Sequence, residues 1–182
     1  MSDEATRTSK FLAYVLRHDP ASIGITLGDG GWVRVDALLD GAARHGRRLD
    51  AAMIDRVLSA PGKKRFELRD GLIRAAQGHS VPVDLGLEPR QPPPVLYHGT
   101  VARFLDDIFA DGLRPGRRTH VHLSADQQTA TTVGARRGKP VVLVVDSAAM
   151  SAGSYEFFQA SNGVWLTAHV PAAFLSFADG KS

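Results

Sequence analysis

Arg17 and His18 stand side by side in "VLRHDP", at the end of an apolar segment with helical spacing. Cations in the last turn of a helix face the negative end of its dipole, a gain of roughly 0.3–1 kcal/mol. The same two residues can also do chemistry. A guanidinium grips a phosphate through paired N–H donors, and an imidazole with an ordinary pKa of about 6.5 moves a proton near neutrality. More arginines fall at the edges of regular segments: Arg65 in "KKRFEL", Arg74 in "LIRAAQGHS", and Arg136 and Arg137 in "VGARRGKP". Several guanidiniums meeting at one place would suit a doubly charged phosphate monoester. Taken one at a time, each is better read as a solvated surface arginine.

The histidines raise the same choice. "LYHGT" sets His98 between a strand and a Gly99-Thr100 turn, where backbone N–H groups and a hydroxyl can meet a ligand. "HVHLS" puts His120 and His122 two apart, on one face of a strand. Imidazoles are common metal ligands, but no Asp or Glu lies within that motif, so no metal is expected; hydrogen bonding around a nucleotide is the better reading, with a satisfied structural histidine as its competitor. The chain has no cysteine, which removes disulfides, thiolate metal sites and thiol nucleophiles. It also lacks a GxxxxGK[ST] phosphate loop and a GxGxxG fingerprint after a strand.

These residues need elements to hold them. "TSKFLAYVLRHDP" reads as a helix opened by Thr8 or Ser9, with Phe11, Leu12, Val15 and Leu16 on one face. Pro20 disfavours helical geometry at Asp19, so Arg17 and His18 fall in the last turn. "ITLGDGGWVRV" suggests two short strands around a glycine-rich turn. Asp36 and Asp50 are expected to cap two further helices, and "RFELRDGLIRAA" alternates around Asp70-Gly71 as a hairpin. Helices followed by a hairpin make a winged-helix pattern. After Pro92–Pro94, which suit an extended spacer, "VLYHGT", "VHLS" and "PVVLVVD" read as strands. Helices are expected between them at about 102–111 and 126–136, with more strand in "YEFFQASNGVWLTAHV". The prediction is an α+β protein of two lobes, residues 1–91 and 92–182, the second built on small β-sheets.

Composition fits that organisation. The 182 residues are 43% hydrophobic and 23% charged, with a formal net charge of +3, ordinary values for a globular chain. A mildly basic balance permits a nucleic-acid partner, which would be met by a local arginine cluster and not by a diffuse field. No apolar run nears the roughly 20 residues that cross a bilayer, and "MSDEATRTSK" is not a signal peptide, so a cytoplasmic location is expected.

The order and spacing of these strings, together with "GWVRVDALL", "SVPVDLGLEP" and "NGVWLTAHVP", closely resemble the RNA 2′-phosphotransferase family. Those are NAD-dependent enzymes of tRNA splicing and RNA repair. The resemblance implies a winged-helix RNA-binding lobe and an ADP-ribosyltransferase-like lobe for NAD. It implies a catalytic set at Arg17, His18, Arg65 and Arg136; the family pattern usually has His after the last of these, where this chain has Arg137. It assigns His98, Gly99, Thr100, His122 and Ser124 to NAD, and Arg74, Gln77, His79 and Ser80 to substrate contacts. The implied partner is RNA bearing an internal 2′-phosphate, tRNA among the possibilities, acted on by a monomer with NAD as co-substrate and no metal. The products are 2′-hydroxyl RNA, ADP-ribose 1″,2″-cyclic phosphate and nicotinamide.

Two rivals stand beside it. One is an ADP-ribosyltransferase that stops after the first step on terminal phosphates of RNA or DNA. Modification of protein is disfavoured, because Glu156 is the only carboxylate in "SYEFFQASNGVWLT". The other is a non-enzymatic winged-helix regulator that senses NAD; its best recognition helix, "AAMIDRVLSA", carries a single arginine, Arg56.

Overall fold

The computed structural model describes residues 3–62 and 64–178. They divide into two compact units at Gly86–Leu87. Among them are six α-helices and three small antiparallel sheets, a mixed α/β arrangement.

The first unit opens with α1 (Asp3–Arg17). It starts earlier than its sequence suggests, because Thr8 and Ser9 do not cap it. Both are buried, in line with Ala5, Leu12 and Leu16 on the inward face. A 3-10 turn, Pro20–Ile23, follows directly; the Asp19 carboxylate accepts from the Ser22 amide at 3.1 Å and closes that corner. The first half of "ITLGDGGWVRV" forms no strand: Asp29–Gly31 is a 3-10 turn, with Gly30 and Gly31 at positive φ. Only β1 (Val33–Arg34) pairs.

Helix α2 (Val35–Arg44) begins one residue before Asp36, so Asp36 is not its cap. Its carboxylate instead takes the Arg34 guanidinium, 3.0 Å from Nε, on the surface. Asp50 does cap α3 (Ala51–Leu58), accepting from the Met53 amide at 2.7 Å. Strands β2 (Phe66–Arg69) and β3 (Leu72–Ala75) form the expected hairpin. Asp70 and Gly71 both have positive φ, at 50° and 73°, which the tight turn requires. Strand β3 is central, in the order β1-β3-β2. Beneath it Leu12, Val15, Leu16, Leu38, Ile54 and Ile73 form one apolar core. The guanidinium groups of Arg69 and Arg74 lie 5.2 and 4.6 Å from the Trp32 ring centre.

Residues 87–91 group with the second unit: Arg90 donates its amide to the Phe157 carbonyl at 2.7 Å, and Pro89 bridges Phe158. One sheet runs β4 (Leu96–Val101), β6 (Pro140–Val145), β9 (Leu175–Phe177). A second runs β5 (Val121–Leu123), β8 (Trp165–Thr167), β7 (Phe158–Gln159). A two-way backbone bridge, Tyr97 with Ser124 at 2.8 and 2.9 Å, stitches the sheets together. Helices α4 (Leu105–Asp111), α5 (Gln127–Gly134) and α6 (Ser147–Ala152) surround them. Leu96, Leu123, Val145, Met150, Phe157 and Trp165 fill the core.

The contact of α5 with β4 explains two glycines. A Cβ on Gly99 would stand 1.8 Å from the Ala130 carbonyl oxygen, and one on Gly134 would stand 2.8 Å from that of Thr100. Helix and strand backbones touch directly, and only glycine permits it.

Candidate active site

In the first unit the chain brings together residues that lie far apart in sequence. Arg17 is the last residue of α1, so its carbonyl has no partner within the helix. The amides of Ser80 and Val81 supply one, at 2.8 and 3.3 Å. The segment after β3 thereby becomes a clamp on the end of α1. The Arg17 guanidinium donates through Nη2 to the Arg65 carbonyl at 3.4 Å, and Arg65 donates through Nη1 to Ser9 Oγ at 3.2 Å. His18 Nδ1 is 2.9 Å from Ser80 Oγ. Arg17, His18, Arg65 and Ser80 are thus linked by direct contacts.

The other residues of "RAAQGHS" take different positions. Arg74 is committed to the fold: it meets Glu67 through Nε and Nη2 at 3.0 and 2.9 Å, and donates through Nη1 to the carbonyls of Gly30 and Leu85. His79 is 1% exposed, and neither ring nitrogen has a hydrogen-bonding partner. Burial pushes its pKa down to about 4, helped by the positive charges of Arg17, His18 and Arg74. It is a neutral histidine under a cationic cluster. Gln77 Oε1 is likewise buried without a partner.

The second unit builds another set. His98 on β4 meets the His122 carbonyl through Nδ1 at 3.1 Å. A carbonyl can only accept, so Nδ1 carries the hydrogen and Nε2 presents a lone pair. Burial lowers the His98 pKa, and the charges of Arg137 and Arg118 add to that against the opposing carbonyl bond. Arg118 Nη1 is 2.8 Å from His122 Nδ1. Arginine only donates, which leaves the His122 hydrogen on Nε2. His98 thus presents an acceptor at Nε2, while His122 carries its hydrogen on Nε2.

Arg118 was not among the residues singled out from sequence. It lies in the irregular stretch before β5, where "GRRTH" shows no periodicity. Its only sequence signal is its position four residues before His122. Its own pKa is lowered, first by desolvation and then by Arg137 and Arg136, so these three guanidiniums share one neighbourhood. Arg136 and Arg137 close a 3-10 turn after α5, both exposed. Thr100 is buried, Ser124 nearly so, and Gly99 is fixed by the packing of α5. His120 falls outside β5 and packs edge-on against Phe158 at 5.8 Å, so it does not share a strand face with His122. Among the described residues no group of three His, Asp or Glu side chains could hold a metal. No helix among them is long and apolar enough to cross a membrane.

Two arrangements result: an Arg-His-Arg cluster on a helix end, and a three-arginine neighbourhood beside two histidines of opposite hydrogen-bonding sense. Both favour anionic, phosphate-bearing ligands.

Comparison with known proteins agrees with this chemistry. The chain is 52% identical over 178 residues to a "Probable RNA 2'-phosphotransferase" of Streptomyces coelicolor, covering 97% of this chain and 98% of the relative. It is 54% identical over 180 residues to a protein of the same name from Agrobacterium fabrum, covering 98% and 97%. A third, from Pectobacterium carotovorum, is 54% identical over 170 residues, covering 92% and 91%. The model of the RNA 2'-phosphotransferase, Tpt1 / KptA family matches residues 3–169, nearly all of the described chain, and the chain belongs to that family.

Proposed function

We propose that this enzyme, an RNA 2′-phosphotransferase, moves an internal 2′-phosphate from RNA to NAD. The observation that carries the reading is the Arg17–His18–Arg65 cluster, held by hydrogen bonds among residues 9, 17, 18, 65 and 80. Arg17 and Arg65 orient the phosphate and neutralise its charge. The first unit, with three helices followed by the β2–β3 hairpin, is read as a winged helix that binds RNA, and the second as an ADP-ribosyltransferase-like unit.

The residues of the second unit fit a dinucleotide. Arg118, Arg136 and Arg137 suit a diphosphate, and His98 Nε2 suits a ribose hydroxyl as acceptor, with His122 beside it. This extends the family set: Arg118 joins Arg136 as a candidate for the fourth catalytic cation. NAD supplies an anomeric carbon with nicotinamide as leaving group. A phosphate oxygen bonds to that carbon and nicotinamide departs with the bonding pair, giving an ADP-ribosylated RNA 2′-phosphate. The ribose 2″-hydroxyl then bonds to phosphorus and loses its proton to solvent. The RNA 2′-oxygen leaves and takes a proton from His18. The products are 2′-hydroxyl RNA, nicotinamide and ADP-ribose 1″,2″-cyclic phosphate. The reading places the reaction in the cytoplasm, with tRNA among its substrates.

The test is incubation of the chain with NAD and a short RNA bearing one internal 2′-phosphate, with all products resolved. Release of the cyclic phosphate by the native chain, and accumulation of ADP-ribosylated RNA by His18→Ala, are expected. Retention of ADP-ribose on RNA by the native chain would instead identify a one-step ADP-ribosyltransferase.

A further inference from the structure

We infer that Ser80 is a positioning residue for His18: its hydroxyl fixes the imidazole so that Nε2 delivers the proton. The inference rests on the reading of His18 as the proton donor. It changes the part assigned to Ser80, which becomes the support of a catalytic side chain and not a contact to RNA.

The geometry separates the two jobs of Ser80. Its amide donates to the Arg17 carbonyl at 2.8 Å, which ties the segment to the end of α1. Its hydroxyl lies 2.9 Å from His18 Nδ1, one residue further along the same helix end. The neighbour His79 points the other way: it is buried, and a Cβ on Gly31 would stand 3.3 Å from its Nε2. Gly78, just before this pair, has a positive φ of 92°, a backbone conformation that suits glycine. His79 thus roots the turn in the first unit while Ser80 faces His18. The His18 ring also lies near Tyr14, 6.4 Å between ring centres, and the Tyr14 hydroxyl donates to Asp19 at 3.0 Å.

The outer torsion of a histidine is broad and roughly two-fold, so a ring can present either nitrogen. A hydroxyl on Nδ1 removes that freedom. The Ser80 oxygen accepts from Nδ1–H when the ring is an imidazolium, and still accepts after Nε2 has passed its proton to the departing RNA oxygen. The tether survives the step, so no reorganisation accompanies proton transfer. The backbone amides hold Arg17, and the hydroxyl is the part of Ser80 that bears on the ring.

Ser80→Ala deletes that hydroxyl and keeps both backbone bonds, and Ser80→Thr restores it. Single-turnover assays with NAD and the 2′-phosphorylated RNA should show the second step slowed about 10- to 100-fold in Ser80→Ala. Modified RNA should accumulate, KM values should stay unchanged, and Ser80→Thr should recover most of the rate. Equal slowing of both steps, or a raised KM for RNA with kcat unchanged, would overturn the inference in favour of direct substrate contact. So would native-like turnover by Ser80→Ala. An activity-free readout is the 15N NMR signature of the His18 ring: distinct Nδ1 and Nε2 signals in the native chain, drawn together in Ser80→Ala. An unchanged spectrum also overturns it. Failure of the native chain to release cyclic phosphate would strike at the functional reading instead, and the NMR result would still decide the role of Ser80.

Discussion

His79 shows how one residue turns the environment of a site into a property of the whole chain. It is neutral in the folded protein because burial and three nearby cations hold its pKa at about 4. The unfolded chain would titrate near 6.5. Below pH 6.5 the unfolded state therefore takes up a proton that the folded state refuses, so this contribution to stability is present above 6.5 and lost as pH falls toward 4. Between pH 7 and pH 5 the loss is about 2 kcal/mol. Urea unfolding at both pH values should show it in the native chain, and His79→Gln should lack this part of the dependence. Arg118 bears on affinity. Arg118→Ala is expected to raise the KM for NAD at least 10-fold, while Arg118→Lys keeps the charge but loses the fork and recovers only part. A KM unchanged in both variants would exclude Arg118 from the proposed dinucleotide site. The two residues also mark what sequence could convey. "QGHS" was recognisable as a motif, yet only burial distinguishes the inward His79 from the outward Ser80. Arg118 sits beside another arginine in an irregular loop, and its pairing with His122 depends on how that loop folds back.

At the level of elements, the readable parts were those that local chemistry fixes. Asp70-Gly71 specified its hairpin because a two-residue turn needs positive φ at both positions. Asp50 capped α3 because a short carboxylate at that position finds a free amide. Asp36 looked equally suited and did not cap, because the start of α2 is tied to the preceding strand: the Val35 amide pairs with the Gly71 carbonyl on the hairpin. The start of α1 lies before Thr8 for a similar reason. Thr8 and Ser9 are polar, but packing carries them inward, where Ser9 receives Arg65. Two substitutions separate local from packing effects. Asp50→Ala should cost about 1 kcal/mol by loss of the cap alone. Gly99→Ala should cost about 3 kcal/mol or more, because its methyl meets the Ala130 carbonyl and either α5 or β4 must move. Thermal unfolding of the two variants side by side checks the order.

Across the whole molecule, each compact unit has its own buried apolar cluster: Leu12, Leu16, Leu38 and Ile73 in one, Leu96, Leu123, Val145 and Phe157 in the other. A domain with its own core can fold alone. Fragments 1–86 and 87–182, expressed separately, are expected to show native-like circular dichroism and cooperative unfolding; a fragment without a transition would show that its core depends on the other half.

The chain has only two tryptophans, and the fold gives one to each unit. Trp165 is 5% exposed in an apolar cluster, whereas Trp32 is half-buried beside two guanidinium groups. Their fluorescence should therefore differ in colour, bluer for the enclosed indole and redder for the one beside cations. Trp32→Phe and Trp165→Phe each leave a single emitter, so the two halves carry separate built-in optical labels. If the proposed assignment of RNA to the first unit and NAD to the second holds, RNA added to one variant and NAD to the other reports occupancy of each half without any attached dye.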